Sequence, residues 1–323
     1  MTWRSSASWA ALQQRAALMR QIRQFFYQRG VLEVDTPSLS RHGVTDLHLD
    51  NMATQLSRDS DGKALRLFLQ TSPEYAMKRL LAQYQRCIYQ LSHVFRDDEI
   101  GRYHNPEFMM LEWYRVGFTL KQLISEVSDL LVDCLKAPPV QQISYQQAFL
   151  NSTGCDPLTP AGINDLHEQL KRRGDSGDWM KQETDTDTIL QVAFNLLVEP
   201  KLPSQIPLAV TEFPASQAAL AKISPQDERV ALRFEIYYQG VELANGYDEL
   251  TDATTQLSRF ESDIQRRHEN KKPEASVDQR LIEAIQHGLP ECCGVALGFD
   301  RLLMIALDAP SIADIQPFSI QNC

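Results

Sequence analysis

The sequence lacks any stretch of apolar residues long enough to cross a membrane. No window of its 323 residues approaches the roughly 18 consecutive apolar residues that a membrane-spanning helix needs. The first ten residues include Trp3, Arg4 and Trp9, and they contain no apolar core of the length found in signal peptides. We therefore expect a soluble protein that resides in the cytoplasm and does not engage a membrane.

Cysteine is scarce, and its spacing does not fit a zinc site. The chain has six cysteines, none of which belongs to a C-x-x-C pair. Reduced structural thiols in a cytosolic protein are the expected state. The cysteines are Cys87, Cys134, Cys155, Cys292, Cys293 and Cys323.

Positive charge is also in short supply. The 32 lysine and arginine residues are outnumbered by 42 aspartate and glutamate residues, which gives a formal net charge of −10. A general nucleic-acid-binding protein would show a basic surface, so this composition argues against one, although it is compatible with a local basic patch. A negatively charged body favours a basic protein partner at long range.

The stretches that carry candidate functional residues are mainly predicted strands, and predicted helices flank them. This pattern, which contains no internal repeat, indicates an α+β fold with a largely antiparallel sheet. Prolines bracket residues 138–205, which we interpret as a helical insertion within a single domain spanning residues 1–323. Helices are predicted at 12–29, 73–81, 119–136, 161–173, 185–199, 251–268, 276–287 and 300–307, and strands at 31–34, 65–69, 87–91, 108–113, 207–213, 230–238, 240–245 and 294–298.

A glycine-spaced strand near the C-terminus is the first candidate ligand site. Gly294 and Gly298 remove side chains from this strand, so a flat ligand could lie against its backbone. Arg301 follows at the junction with the next helix, and its planar guanidinium could cover that ligand or bind a phosphate group. Ordinary packing of a strand before a helix is the alternative interpretation.

The charged segment from Arg96 to Phe108 is a second candidate. It is typical of a strand end, a polar loop and a returning strand. Arg96 could bind a carboxylate or a phosphate through two parallel hydrogen bonds, and Phe108 could stack on a base. The alternative is a charged hairpin on the surface.

Two glutamates on a predicted strand pair form a candidate metal site. Glu235 and Glu242 flank a turn at residues 239–240, so their carboxylates converge if that turn is tight. Two such carboxylates suit Mg²⁺ bridging nucleotide phosphates, because Mg²⁺ prefers hard oxygen ligands. Exposed strand glutamates are the alternative.

Two further segments place polar groups near predicted element ends. Strand alternation points Glu112 and Tyr114 to one face, where they could bind an ammonium group, and Trp113 to the other. An edge-strand polar pair is the alternative. Ser72 and Pro73 predict a helix start, with the serine as N-cap and the proline as the first helical residue.

Together these segments resemble the three signature motifs of class II aminoacyl-tRNA synthetases, in the order in which that family carries them. The lysyl branch is the most similar, because Glu74 stands where the aspartyl and asparaginyl branches have glutamine. The resemblance implies an antiparallel sheet flanked by helices, and a homodimer built through the first motif. The three motifs resemble residues 12–39, 94–114 and 294–304, and the lysyl core resembles residues 71–74, 104–108, 112–114 and 242–249.

The resemblance also implies a role for each candidate residue in activating an amino acid with ATP and Mg²⁺. Arg96 and Arg301 would be catalytic, and Phe108 and Arg301 would enclose the adenine. ATP would be bound by Arg96, Asp97, Asp98, His104, Asn105, Phe108, Glu242, Leu243, Gly298 and Arg301, and Mg²⁺ by Glu235 and Glu242. A lysine-type amino acid would be bound by Ser72, Pro73, Glu74, Glu112, Tyr114, Asn245, Glu249 and Ala296.

The motif 1 helix is predicted to begin near residue 12, so we expect no N-terminal OB-fold domain and no recognition of an anticodon. The chain therefore most resembles the synthetase-like ligases that activate lysine or (R)-β-lysine and transfer it to a lysine ε-amino group of elongation factor P. A stand-alone ligase that charges tRNA or a small amine is one alternative. A non-catalytic regulator derived from a synthetase is another.

Two residues depart from the pattern of the lysyl synthetases. Ala296 replaces a glycine, and its methyl group would reshape the floor of the pocket; we hypothesise that this fits a β-amino acid, whose amino group is displaced by one carbon. Asp98 replaces a glutamate that contacts the nucleotide and is one methylene shorter. Either Glu99 or a water molecule would then complete the contact, unless ATP binding is weaker.

Overall fold

The predicted strands gather mainly into one sheet. The structure, a computed structural model, describes residues 3–323, and the strands below are those within that range. They are β1 (Leu32–Glu33), β2 (Leu39–Ser40), β3 (Ala53–Leu56), β4 (Leu65–Leu69), β5 (Ile88–Phe95), β6 (Glu107–Val116), β7 (Gln141–Ser144), β8 (Leu208–Thr211), β9 (Arg233–Tyr238), β10 (Val241–Asp248) and β11 (Cys292–Gly298).

Eight of the described strands form the central sheet, in the order β1-β5-β6-β11-β10-β9-β8-β7. Its inner pairings are antiparallel, and only the two edge pairs, β1 with β5 and β7 with β8, are parallel within residues 3–323. The prediction of a largely antiparallel sheet in an α+β fold is confirmed. A small second sheet contains β2, β4 and β3.

Every predicted helix is present with its bounds shifted by a few residues, and the predicted helix at 185–199 is α-helical only over Thr186–Ala193. Helix α2 begins at Glu74, because Pro73 occupies the N-cap position; the predicted N-cap Ser72 is one residue too early. Helix α4 was not predicted. The helices are α1 (Trp9–Gln28), α2 (Glu74–Tyr84), α3 (Leu120–Leu135), α4 (Tyr145–Thr153), α5 (Pro160–Arg172), α6 (Thr186–Ala193), α7 (Ala253–Glu269), α8 (Gln279–Gly288) and α9 (Phe299–Ala306).

Residues 138–205 are more regular than the sequence suggests. Besides its helices, this segment contributes β7 to the edge of the central sheet, and Ser144 caps α4 by accepting a hydrogen bond from the Gln147 amide. Tyr145, Phe149 and Phe194 of this segment pack together in a second hydrophobic core, which they share with residues of β8 and β9. After α6 the chain continues as a π-helix over Phe194–Val198.

The main core covers one face of the central sheet. Trp113, Val295 and Phe234 point into it and pack with residues of α1, α3 and α9. Because side chains alternate along a strand, Glu112, Gly294 and the other neighbours of these residues point to the opposite face. Burial of the apolar face therefore fixes which polar residues are presented together.

Asp300 joins three parts of the fold. Its buried carboxylate pairs with Arg15 of α1 and accepts hydrogen bonds from the Met109 amide of β6 (2.9 Å) and from Gln316 Nε2 (2.9 Å). A buried ion that loses its partner is strongly destabilising, because the remaining charge is left without compensation.

We expect Asp300→Ala to lower the free energy of unfolding by about 3–5 kcal/mol, since it leaves the Arg15 guanidinium without its buried partner. Urea denaturation followed by circular dichroism measures this difference. Asp178→Ala is the matched control, because Asp178 pairs with Lys181 on the exposed surface. Equal denaturation midpoints for the two variants would contradict the prediction.

Candidate active site

A cleft of about 670 Å³ lies on the face of the central sheet opposite the main core. Its floor is formed by residues of β6, β10 and β11, among them Glu112, Asn245 and Ala296. In the sheet, Ala296 is the direct neighbour of both Glu112 and Asn245. The cleft is large enough for a nucleotide and a small second substrate, since ligand pockets commonly measure roughly 300–1,000 Å³.

Gly294 makes close packing over the cleft floor possible. A Cβ atom at this position would lie well under 3.0 Å from the Glu249 carboxylate and from the Tyr114 ring. Gly298 is different, because a Cβ atom there would meet nothing nearer than the Arg301 side chain at 3.5 Å. The absence of a side chain therefore matters most at Gly294.

Glu112 is buried and accepts two short hydrogen bonds. The Tyr114 hydroxyl donates to Oε1 (2.7 Å) and the Ser72 hydroxyl donates to Oε2 (2.6 Å). Ser72 also accepts a hydrogen bond from the Glu74 amide (3.0 Å), so it links Glu112 to the start of α2. The predicted common face of Glu112 and Tyr114 is present in the structure.

Two more carboxylates complete this part of the cleft, and a buried lysine lies between them. Lys78 Nζ is 2.7 Å from Glu74 Oε1 and 2.6 Å from Glu249 Oε2. We call Glu74, Glu112 and Glu249 the acidic cluster. Burial raises the pKa of Glu112 to about 7, and neighbouring Glu74 adds to this effect. Burial likewise raises the pKa of Glu249 to about 8, although Lys78 opposes the shift.

Arg301 lies in a second charged part of the cleft. Its guanidinium donates to the Glu242 carbonyl oxygen (2.9 Å) and to His104 Nε2 (2.7 Å). Because a guanidinium only donates, His104 must accept at Nε2 and is therefore neutral in this arrangement. Burial and the Arg301 charge also lower the pKa of His104. The planar guanidinium of Arg301 is thus held in a fixed position at the edge of the cleft, beside β10 and β11.

Arg96 lies over the ring of Phe108, with its guanidinium carbon 5.3 Å from the ring centre. It also pairs loosely with Glu99, at 3.5 Å. Glu99 lines the cleft, whereas Asp97 and Asp98 are exposed and lie outside its walls. Binding of ATP by Asp97 and Asp98 stays a prediction, and Glu99 is the residue of this loop that lines the cleft.

Asn105 lines the cleft, but its amide is used within the fold. Its Nδ2 donates to the Glu107 carbonyl oxygen (2.7 Å), and its Oδ1 accepts from the Ile320 amide (3.0 Å). The C-terminal residues also hold this loop where Arg102 Nε donates to the Pro310 carbonyl oxygen (2.8 Å). The loop that carries His104 is therefore positioned by the end of the chain.

Glu235 and Glu242 converge across the β9–β10 hairpin, where Gln239 and Gly240 form the predicted tight turn with positive φ values of 52° and 72°. Partial burial and the Glu235 charge raise the pKa of Glu242, whose side chain is 41% exposed. Glu235 accepts hydrogen bonds from Arg233 and from the Tyr237 hydroxyl.

These two carboxylates fit the requirements of Mg²⁺. No group of three or more metal-ligating side chains converges among residues 3–323. Mg²⁺ does not need such a group, because it commonly retains several waters and binds one or two carboxylates together with substrate phosphates. Glu235 and Glu242 supply two such hard oxygen ligands, and arginines lie beside them.

The cleft collects most of the predicted site residues. Pro73, Asp97 and Asp98 are the exceptions, and Pro73 lines a separate, smaller cavity beside the cleft. The predicted residues that do line it are Ser72, Glu74, Arg96, His104, Asn105, Phe108, Glu112, Tyr114, Glu235, Glu242, Leu243, Asn245, Glu249, Ala296, Gly298 and Arg301.

Sequence reasoning missed several residues of the site. Glu199 reaches the cleft from the insertion, where burial and the Glu235 charge raise its pKa and Arg301 opposes the shift. Its sequence context carries no signal of this role. The sequence does carry a signal for Lys78, since this residue falls on the apolar face of α2 between Met77 and Leu81, where a charged residue needs a partner.

Within residues 3–323, no helix is long and apolar enough to cross a membrane. Comparison with known proteins gives a family for the chain. Residues 1–322 match the family of tRNA synthetases class II (D, K and N).

The chain is also similar to several named relatives. It is 48% identical over 322 residues to the "Elongation factor P--(R)-beta-lysine ligase" of Erwinia tasmaniensis, which covers 100% of this chain and 98% of the relative. Proteins of the same name from Salmonella typhi and Haemophilus influenzae are each 48% identical over 321 residues, covering 99% of this chain and 98% of each relative.

Proposed function

The chain belongs to the class II tRNA synthetase family (D, K and N), and from this premise we propose that it is an ATP-dependent, AMP-forming ligase. It activates (R)-β-lysine or lysine as an aminoacyl-adenylate and transfers it to a lysine ε-amino group of elongation factor P. The relatives that carry this activity in their names match the chain from end to end. The acidic cluster and the arginines lie within a single domain, in which residues 138–205 form an insertion.

The acidic cluster is the observation that carries the proposal. Three carboxylates converge there, and Lys78 compensates one of them. A lysine-type amino acid brings two ammonium groups, which the remaining negative charge can pair with. An acidic amino acid such as aspartate would be repelled, because like charges in a buried site are costly.

In the first step, a carboxylate oxygen of the amino acid attacks the α-phosphorus of ATP. The bond from that phosphorus to the bridging oxygen of the β-phosphate breaks, and pyrophosphate leaves. Arg96 binds the α-phosphate and the amino-acid carboxylate, and Arg301 covers the adenine, which Phe108 faces from the other side. These residues act by positioning and by neutralising charge, and no protein nucleophile is required.

In the second step, the acceptor amine attacks the carbonyl carbon of the adenylate. The bond between that carbon and the phosphate oxygen breaks, AMP leaves, and the nitrogen releases a proton.

Glu235 and Glu242 are the residues that would hold Mg²⁺ during activation. A bound Mg²⁺ would supply positive charge that neutralises the nucleotide phosphates.

ATP–pyrophosphate exchange tests the proposal. We expect exchange that depends on (R)-β-lysine or lysine, and none with aspartate or asparagine. The proposal would be contradicted if no lysine-type amino acid stimulated the exchange. Transfer of radiolabelled amino acid to elongation factor P, with tRNA as the competing acceptor, then identifies what receives the activated group.

We also propose that the protein is a homodimer. Tyr27 of α1 and Leu32 of β1 are large apolar residues that are 79% and 63% exposed, and β1 is a sheet edge. An apolar surface beside an open strand edge is suited to pairing with a second copy. Sedimentation equilibrium should give twice the mass of the chain, and Tyr27→Glu should shift it towards the monomer. A monomeric wild-type protein would refute the dimer.

Activation of the amino acid should depend on pH. A substrate ammonium needs ionised Glu112 and Glu249, whose raised pKa values of about 7 and about 8 leave them partly protonated in neutral solution. The kcat/KM for lysine-type substrates should therefore rise from pH 6 to pH 8.5, while the KM for ATP changes less. In Glu249→Gln the rise should move to lower pH. A flat profile in the wild type would be inconsistent with this account.

A further inference from the structure

Lys78 is a buried charged residue to which neither step of the proposed chemistry gives a contact with ATP or the amino acid. Its side chain is 1% exposed, and it belongs to the same buried face of α2 as Met77 and Leu81. Lysine is almost never fully buried without a charged partner, because removing its ammonium group from water is costly. The burial of Lys78 therefore indicates that its charge compensates nearby carboxylates.

The ammonium group of Lys78 is shared by two carboxylates from distant parts of the chain. Glu74 lies one turn earlier on α2, and Glu249 follows β10. Burial alone would lower the pKa of Lys78, but Glu249 and Glu74 together raise it, so the side chain stays cationic. One fixed cation thus links the two carboxylates.

We infer that Lys78 is a positioning residue that acts as a resident ammonium group within the acidic cluster. It ties Glu74 to Glu249 and cancels one of the three carboxylate charges, which leaves two for the ammonium groups of the amino acid. This inference rests on the proposed activation of a lysine-type amino acid and deepens it. It assigns the selection of a diamino acid to a residue that has no contact with the nucleotide part of the cleft.

The consequence of losing this cation follows from the geometry. Glu74 and Glu249 would have no common cation, and like charges in a site largely shielded from water repel each other. They would separate or take up protons. In either case the site would no longer present two fixed negative charges to the substrate.

The test compares two variants of the full chain, Lys78→Ala and Lys78→Met, in ATP–pyrophosphate exchange with (R)-β-lysine and with lysine. The KM for the amino acid should rise roughly 30-fold or more in both variants, as for other buried charge pairs that lose one member. The KM for ATP should stay within about twofold, because the arginines are untouched. Lys121→Ala, which changes an exposed lysine of α3, is the matched control.

Chemical rescue separates a need for the ammonium from a need for the side-chain volume. In Lys78→Ala, added n-propylammonium should enter the vacated space and lower the amino-acid KM again, whereas propan-1-ol should not. Lys78→Met should not respond, because its side chain fills that space; it also serves as the test if Lys78→Ala fails to fold, as judged by thermal unfolding.

Three results would overturn the inference. They are a wild-type amino-acid KM in Lys78→Met, equal rises in both KM values, and equal rescue by the amine and the alcohol. If the wild-type protein itself showed no exchange with any lysine-type amino acid, the proposed function would fail, and this inference with it. If the wild type is active and Lys78→Met has the wild-type KM for the amino acid, the inference is overturned and the proposed function still stands.

Discussion

Arg301→Ala is expected to lower the kcat/KM of adenylate formation by roughly 10²–10³-fold, the usual effect of removing one preorganised charge-stabilising group. In the structure, Arg301 is held at the rim of the cleft by the Glu242 carbonyl oxygen and by His104. Its guanidinium is therefore placed before any nucleotide arrives, and a truncated side chain cannot replace it. ATP–pyrophosphate exchange at saturating amino acid measures the loss.

Two controls sharpen this result. Arg172→Ala removes an exposed arginine at the end of α5 and should leave exchange unchanged. Arg301→Lys keeps the charge but loses the planar surface, so it should recover only a small part of the activity. If Arg301→Ala retained wild-type exchange, the nucleotide would have to lie elsewhere in the cleft.

Gly294→Ala should have the second large effect, this time on the amino acid. The new methyl group would collide with the Glu249 carboxylate and the Tyr114 ring, so both would have to leave their positions. Overpacking of this kind costs about 1–3 kcal/mol of stability, and the displaced groups lose their contacts with the substrate; a similar loss of binding free energy corresponds to a roughly 5- to 150-fold lower kcat/KM. The loss should appear in the KM for lysine-type substrates and much less in the KM for ATP.

Gly174→Ala is the matched control, because a Cβ atom there would meet nothing within 4 Å and its backbone has no positive φ. It should behave as the wild type in both exchange and thermal unfolding. An unchanged amino-acid KM in a folded Gly294→Ala protein would show that Glu249 and Tyr114 do not contact the substrate.

Strand periodicity explains why much of the site could be predicted. Alternation alone places Glu112 and Tyr114 together, and their hydrogen bond (2.7 Å) confirms it. The turn at Gln239 and Gly240 likewise brings Glu235 and Glu242 across one hairpin. In both cases the relevant residues are close in sequence, so local geometry determines the result.

The loops and the long-range contacts could not be predicted in the same way. The resemblance assigns Asp98 to the nucleotide; in the structure its backbone has a positive φ of 62°, its side chain is exposed, and Glu99 lines the cleft. A loop has no repeating geometry from which these side-chain positions could be inferred. The tie between Lys78 and Glu249 joins α2 to the end of β10, and only the assembled sheet brings these elements together.

The central claim is that a diamino acid is activated in this cleft and passed to a protein amine. The intact mass of elongation factor P, measured after incubation with this protein, ATP, Mg²⁺ and (R)-β-lysine or lysine, tests that claim most directly. We predict a mass increase of one lysine-type residue on a single lysine, which depends on ATP and forms roughly 10²–10³-fold more slowly with Arg301→Ala. The claim would be contradicted if the mass stayed unchanged while the same protein catalysed ATP–pyrophosphate exchange and transferred labelled amino acid to tRNA.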